Sequence, residues 1–273
     1  MPATAPVQTP VSALEARNVS RVFHTDAGAV PALRDVSISV AQGEFVSLVG
    51  PSGCGKSTLL RLLAGVDFPD TGSVYVDGEL VTGPSLSRGM LFQDHRLLPW
   101  LTVGQNVGLG LHKSNLSPAQ KRDRVSGLIN LVGLEGFETA FPYQLSGGMS
   151  QRAAIARSLA PRPKVLLLDE PLGALDSLTR AKMQAELLRI WEHEGITMLM
   201  VTHDVEEAVF LSDRIIVMHP RPGRIADVVE LDLPKPRSRG DSEFARIKAG
   251  LLDTLNGQQV DRVACTDVVV AVL

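Results

Sequence analysis

The stretch Glu44-Phe45-Val46-Ser47-Leu48-Val49-Gly50-Pro51-Ser52-Gly53-Cys54-Gly55-Lys56-Ser57-Thr58-Leu59-Leu60-Arg61-Leu62-Leu63-Ala64-Gly65 changes character twice. Glu44–Val49 is a short apolar run of strand length, 50–55 is rich in glycine, and Leu59–Ala64 is a run of helix formers stopped by Gly65. Gly50, Gly55, Lys56 and Ser57 meet the spacing G-x-x-x-x-G-K-[ST] between that strand and that helix. In a chain of this composition four such positions match by accident roughly once in a hundred or two chains, before the flanking elements are demanded. The chemistry explains the residue types. Glycines let backbone N–H groups converge on a β-phosphate, and the helix N-terminus adds partial positive charge. Lys56 is placed to bridge β- and γ-phosphates, and the Ser57 hydroxyl to ligate Mg²⁺. Gly50, Pro51, Ser52, Gly53, Cys54, Gly55, Lys56, Ser57 and Thr58 are therefore expected to hold a nucleoside triphosphate.

Outward from the loop, Val165–Leu168 is a wholly apolar run ending in Asp169 and Glu170. Acids often end a strand at a surface turn. Beside a phosphate loop they carry more: a Mg²⁺ at Ser57 needs a nearby carboxylate, for which Asp169 is the candidate, and Glu170 can polarise an attacking water.

Coarse patterning then orders the rest. Leu14–Phe23 and Arg34–Val40 read as strands of an antiparallel flank separated by a Gly/Ala/Pro turn region, and Ser73–Val76 and Arg88–Phe92 as further strands. Ser117–Val132 and the stretch on to Tyr143 read as a helical, polar-surfaced insert. Ser150–Ala160, Ser177–His193 and Asp204–Leu211 read as helices; Ile196–Val201, Arg214–Met218 and Arg224–Glu230 read as strands. Strands this apolar need cover on both faces, which indicates an α/β sandwich around a mostly parallel sheet. The expected division is a flexible tail over 1–12, one domain over 13–234 with a helical subdomain at about 94–160, and an extension over 235–273. Within it Pro234–Gly240 reads as a linker and Phe244–Leu255 as a helix. There is no internal repeat.

Composition limits the partners. The 273 residues carry 27 basic and 30 acidic side chains, a formal charge of −3, so no broad cationic surface is available for nucleic acid. Two cysteines, Cys54 and Cys265, cannot build a disulfide framework, and a reducing, cytoplasmic setting is expected. The first ten residues lack the charge and apolar core of a secretory signal, and no apolar run approaches ~20 residues, so the chain is not expected to cross a membrane by itself.

Leu145-Ser146-Gly147-Gly148-Met149-Ser150-Gln151-Arg152 opens a helix 95 residues after Gly50. Serine and glycines before a helix form an N-cap, and equally a second anion site. This segment closely resembles the signature motif of ABC ATPases, with Met149 where many members carry Gln. The resemblance, spanning about 14–233, implies a P-loop NTPase fold of ABC type: a mostly parallel central sheet, an antiparallel β flank and a helical subdomain. It further implies that Ser146, Gly147 and Gly148 complete the ATP pocket of a twin subunit in a head-to-tail homodimer. Gln93 matches the glutamine that contacts Mg²⁺ and senses the permease, Asp176 the D-loop aspartate, and His203 the switch histidine that contacts the γ-phosphate. Phe23 resembles the aromatic position that stacks on adenine; an ordinary strand-end aromatic fits it equally.

One cassette without membrane spans is similar to the separate ATPase subunit of a bacterial importer, held at the cytoplasmic face of the inner membrane by integral-membrane permease subunits and served by a periplasmic or lipoprotein substrate-binding protein. Phe92–Trp100, Asn106–Leu111 and Asp169–Arg180 look like the nitrate/sulfonate/taurine group, closest to its aliphatic sulfonate branch, and His219–Ile225 like its nitrate-type members. Leu97, Leu98 and Trp100 form an apolar cluster fit either to receive a permease helix or to pack the insert. A soluble ABC ATPase acting as a scaffold remains the rival class.

Overall fold

The computed structural model describes residues 12–26, 28–93, 97–173 and 175–266, with 258–266 as backbone alone. Of the tail expected over 1–12, residues 1–11 lie outside the described residues and Ser12 is instead the first residue of a strand; Asp94–Arg96, Ala174 and Val268–Leu273 also lie outside the described residues.

Two sheets form. The first has strand order β2-β1-β4-β5, built from β1 (Ser12–Thr25), β2 (Gly28–Ala41), β4 (Thr71–Val76) and β5 (Glu79–Leu80), all paired antiparallel. The Gly/Ala/Pro stretch expected as a turn is instead the start of β2, with Pro31 paired opposite Val22. An edge strand tolerates proline because one of its rows of amides faces no partner. The short β5 was not foreseen, although Asp77-Gly78 is a two-residue hairpin signal.

The central sheet has order β10-β9-β3-β8-β7-β6. It comprises β3 (Phe45–Val49), β6 (Arg88–Leu91), β7 (Val165–Asp169), β8 (Thr197–Thr202), β9 (Arg214–His219) and β10 (Arg224–Glu230). β9, β3, β8, β7 and β6 run parallel, and β10 closes one edge antiparallel. β3 and β8 are buried throughout, as strands covered on both faces must be. One face packs on the antiparallel sheet and on α1 (Lys56–Ala64). Beyond the other, α2 (Val103–Gly108), α3 (Pro118–Leu131), α4 (Gly147–Leu159) and α5 (Ser177–Glu194) share one continuous core with Leu91, Leu166 and Leu168. Truncating such a core leucine costs about 2–5 kcal/mol.

The helical region differs in detail from expectation. α2 is six residues long, too short for periodicity to reveal, yet its capping box is written in Thr102 and Gln105. The stretch after α3 is turns, with a single 3-10 turn at Pro142–Gln144, rather than helix. α4 starts three residues earlier than expected because Ser146 caps it.

The C-terminal chain packs on a third apolar group. Phe244 and Leu251 of α7 (Ser242–Thr266) are buried with Val49, Val217 and residues of α6 (Val205–Leu211). Segment 234–240, expected as a linker, is fastened. Lys235 Nζ donates to Asp213 at 2.7 Å and lies 3.7 Å from the centre of the Trp191 ring, while the buried Arg237 donates to the carbonyls of Leu233, Val209 and Ser212.

Sheet register places the site. Val49 pairs with Thr202, Val201 with Asp169, and Leu168 with Leu91. The chain therefore leaves β3, β8, β7 and β6 at one edge, side by side, and that carboxyl edge is where open α/β sheets bind ligands.

Candidate active site

The loop after β3 is shaped by close approach. A Cβ on Gly50 would lie 2.7 Å from Cys54 Sγ and 2.8 Å from the Met218 carbonyl. Gly55 has φ +95°, a left-handed backbone that favours glycine, and a Cβ there would meet Leu33 and the Ala32 carbonyl. Cys54 is buried beneath the loop, and burial pushes its thiol pKa up. α1 begins on Gly55 with no side-chain cap and no acid in its first turn. Its first amides thus lack intrahelical partners, and nothing negative competes for them.

Lys56 turns back over the loop, its Nζ donating to the carbonyls of Gly50 at 2.8 Å and Pro51 at 3.1 Å. Its side chain is drawn across the loop mouth. Ser57 Oγ donates to Asp169 Oδ1 at 3.0 Å, joining α1 to the end of β7. Among the described residues no group of three His, Cys, Asp or Glu side chains could hold a metal by themselves. A hydroxyl beside one carboxylate is a donor set that Mg²⁺ takes when substrate phosphates and water supply the rest.

Next to this pair, Glu170 sits at φ +46°, its amide donating to the Val201 carbonyl at 2.9 Å. A left-handed backbone at a glutamate costs of order 1–3 kcal/mol and marks a position held by its surroundings. Glu170 Oε2 lies 3.1 Å from His203 Nδ1, on the adjoining strand end. A carboxylate and an imidazole so placed can hold a water between them and a substrate and take its proton.

The structure brings Lys56, Ser57 and Asp169 together, with Glu170 and His203 as an adjoining pair. Gln93 is exposed in the bend after β6. Phe23 is 37% exposed, with the Arg21 guanidinium 5.1 Å from its ring centre, on the hairpin whose Ala32 and Leu33 touch the loop. Ser146 caps α4, its Oγ accepting from the Met149 amide at 3.3 Å. Asp176 caps α5, accepting from the Leu178 and Thr179 amides at 3.1 Å each. Among the described residues no hydrogen bond or ion pair joins Ser146–Gly148 or Asp176 to the phosphate loop. Sequence reasoning missed Gly223, where a Cβ would lie 2.2 Å from the Cys54 carbonyl. Its neighbour Pro222 marked a turn and nothing more. It also missed Thr202 and Glu207, polar groups buried among apolar ones directly behind His203.

Residues 33–173 match the model of the ABC transporter family. The chain is 47% identical over 234 residues to an aliphatic sulfonates import ATP-binding protein of Bacillus cereus, covering 86% of this chain and 92% of that one. The chain belongs to the ABC transporter family. This ABC ATPase is also 46% identical over 257 residues to a nitrate import ATP-binding protein of Synechocystis, covering 91% of this chain and 97% of that one. A solved structure of a dimeric ATP-binding cassette in a post-hydrolysis state, bound to ADP and phosphate, superposes on the ABC ATPase with a TM-score of 0.71 at 34% identity, covering 81% of this chain and 100% of that one. The ABC-type fold expected from the signature motif is the fold observed.

Proposed function

We propose that the chain is the ATP-hydrolysing subunit of an importer for a small anion, an aliphatic sulfonate foremost. The observation that carries ATP hydrolysis is the row of strand ends on which Lys56, Ser57–Asp169 and Glu170–His203 stand side by side; the cargo rests on the likeness to the Bacillus cereus relative. Gly50–Thr58, Pro51 apart because it has no N–H, receive the phosphates through backbone amides, and Lys56 exchanges its two carbonyl partners for phosphate oxygens. Ser57, Asp169 and Gln93 would hold Mg²⁺, which would supply positive charge to neutralise the phosphates. Glu170 accepts a proton from the attacking water, whose oxygen bonds the γ-phosphorus as the bond to ADP breaks. His203, fixed by Glu170, meets the γ-phosphate. Phe23 lies under the adenine.

A second copy of the chain supplies Ser146, Gly147 and Gly148 to the far side of the nucleotide, with Asp176 at the same interface. α4 supports this assignment: Gly147 and Gly148 form its first turn beside the Ser146 cap, and a Cβ built on Gly147 meets nothing within 4 Å. Trp100 is 69% exposed, with Leu97 and Leu98 partly buried beside it, and we assign this patch to the integral-membrane permease. Among the described residues no helix is long and apolar enough to cross a membrane, so attachment to the cytoplasmic face of the cell membrane would run through that permease. The binding protein that delivers the anion lies across the membrane and does not touch this chain. Nitrate is the alternative cargo that the Synechocystis relative supports, and taurine the third of the group.

Uptake of labelled ethanesulfonate and of nitrate by cells lacking this chain tests the cargo. Loss of the first alone supports the sulfonate reading, loss of the second alone replaces it with nitrate, and loss of neither overturns import of both anions.

A further inference from the structure

Behind His203 runs a chain of polar side chains whose directions are all determined by their ends. Thr202, Glu207 and Gln184 are each at least 97% buried. The Asp204 amide donates to Thr202 Oγ1 at 3.1 Å, and Thr202 Oγ1 donates to Glu207 Oε2 at 2.5 Å. Gln184 Nε2, on α5, donates to Glu207 Oε1 over a longer 3.5 Å, while Gln184 Oε1 accepts from Arg239 Nη2. Arg239 also donates through Nε to Glu206 at 2.8 Å, and Glu206 accepts from Lys248 of α7. A guanidinium only donates and a carboxylate only accepts. With Arg239 at one end, Gln184 must present its amide N–H to Glu207. With Glu207 accepting, the Thr202 proton must point away from Asp204, which leaves a Thr202 lone pair for the Asp204 amide.

That last bond spans His203 from the residue before it to the residue after it, so it sets the backbone from which the imidazole projects. Burial raises the Glu207 carboxyl pKa, with Asp204 adding to the rise and Thr202, Gln184 and Arg180 opposing it, so the acid is retained at a cost. An apolar residue at this place on α6 would pack without that cost.

We infer that Glu207 is a positioning residue for hydrolysis, which fixes the main chain around His203 through the Thr202 hydroxyl and is itself fixed by Arg239 through Gln184. The segment before α7 is thereby tied to the hydrolytic site. The inference rests on His203 being the group that meets the γ-phosphate.

The full-length chain is assayed for Mg-ATP hydrolysis as Glu207→Gln, Thr202→Val, Thr202→Ser, Arg239→Gln and His203→Ala. A misplaced catalytic group loses rate more than affinity, so Glu207→Gln and Thr202→Val are expected to lower kcat about tenfold with KM for ATP moving less than about twofold. Thr202→Ser keeps the hydroxyl and is expected near the parent rate; Arg239→Gln is expected to lose about two- to threefold. Parent kcat in Glu207→Gln, or a fall in kcat matched by a rise in KM, overturns the positioning role. Turnover retained by His203→Ala instead overturns the reading of His203, whereas its loss beside unaffected Glu207→Gln and Thr202→Val overturns only the inference. Amide hydrogen exchange reads the geometry independently of rate. The Asp204 amide is expected to exchange faster in Thr202→Val and Glu207→Gln while the Ala208 amide, bonded to the Asp204 carbonyl, keeps its parent rate; equal protection of Asp204 in parent and variants refutes the link.

Discussion

At α1 the helix starts on a left-handed glycine with no side-chain cap, a lysine folded across the loop, and a hydroxyl bonded to a carboxylate of the neighbouring strand. At α4 the helix starts directly after Ser146, with Gly147 and Gly148 as its first two residues, but Ser146 already accepts from the Met149 amide and no acid occupies the first turn. Both present backbone N–H groups to an anion. The first has Lys56 folded over it and the Ser57–Asp169 pair beside it; at the second, Arg152 and Lys182 line a cavity with Ser146 and Gly148, Arg152 being engaged by the carbonyls of Val132 and Gly133. The difference bears on what a phosphate site needs beyond a helix dipole: in the proposed function α1 grips the nucleotide within one chain, and α4 covers it from a second copy. That asymmetry is the physical reason for proposing a head-to-tail homodimer.

The strongest test of that division leaves both helix starts intact. Glu170→Gln keeps the shape beside His203 and removes the proton acceptor, so turnover is expected to fall about 10²–10⁴-fold, the usual worth of a general base. Nucleotide affinity should hold, and size-exclusion chromatography with ATP should show an accumulated dimer. Rapid turnover by this variant removes Glu170 from the chemistry. Lys56→Ala acts on the α1 side alone. Losing a charged hydrogen-bond donor costs about 1.5–3 kcal/mol, so ATP affinity is expected to weaken about 10- to 100-fold by calorimetry. An unchanged Kd would mean that the amides alone suffice and that the two helix starts differ less than described.

Gly147 probes the other side. A Cβ built there meets nothing within 4 Å in the single chain, whereas one on Gly148 would lie 2.8 Å from Thr179 Cγ2. Gly147→Val should therefore leave Tm nearly unchanged, and ATP affinity of the lone chain with it, while abolishing the ATP-induced dimer of Glu170→Gln. Dimerisation that survives Gly147→Val places the twin subunit's contact elsewhere.

What the sequence made legible follows the same line. Gly50–Ser57 were readable because close backbone approach and phosphate chemistry admit few residue types at rigid spacing, and Asp169-Glu170 because two acids ended a wholly apolar run. Their proximity is a matter of register, which no local pattern contains: only the pairing of Val201 with Asp169 and of Val49 with Thr202 sets them side by side. α2 was missed because six residues are too few for a period to show. Segment 234–240 looked like a linker because prolines and charges usually sit in water, yet Lys235 finds Asp213 and Trp191, and Arg237 finds carbonyls, far away in sequence. Glu207 was invisible for the related reason that an acid on a short helix ordinarily faces solvent.

The smallest expected effects separate the α4 cap from its neighbour at α5. Ser146→Ala removes an uncharged cap and is expected to cost about 1 kcal/mol at any pH where the fold persists. Asp176 caps α5 as a carboxylate, and its hydrogen bonds with Thr179, foremost, hold its pKa below the ordinary aspartate value. A carboxyl with a depressed folded pKa contributes stability in full above its unfolded pKa of about 3.9 and loses it as pH falls through the folded value. Thermal melts of Ser146→Ala and Asp176→Ala at neutral pH and near pH 3 should therefore diverge: the Asp176→Ala deficit shrinks in acid and the Ser146→Ala deficit does not. Equal pH dependence in the two variants would show that the charge on the Asp176 carboxylate is not what holds the start of α5.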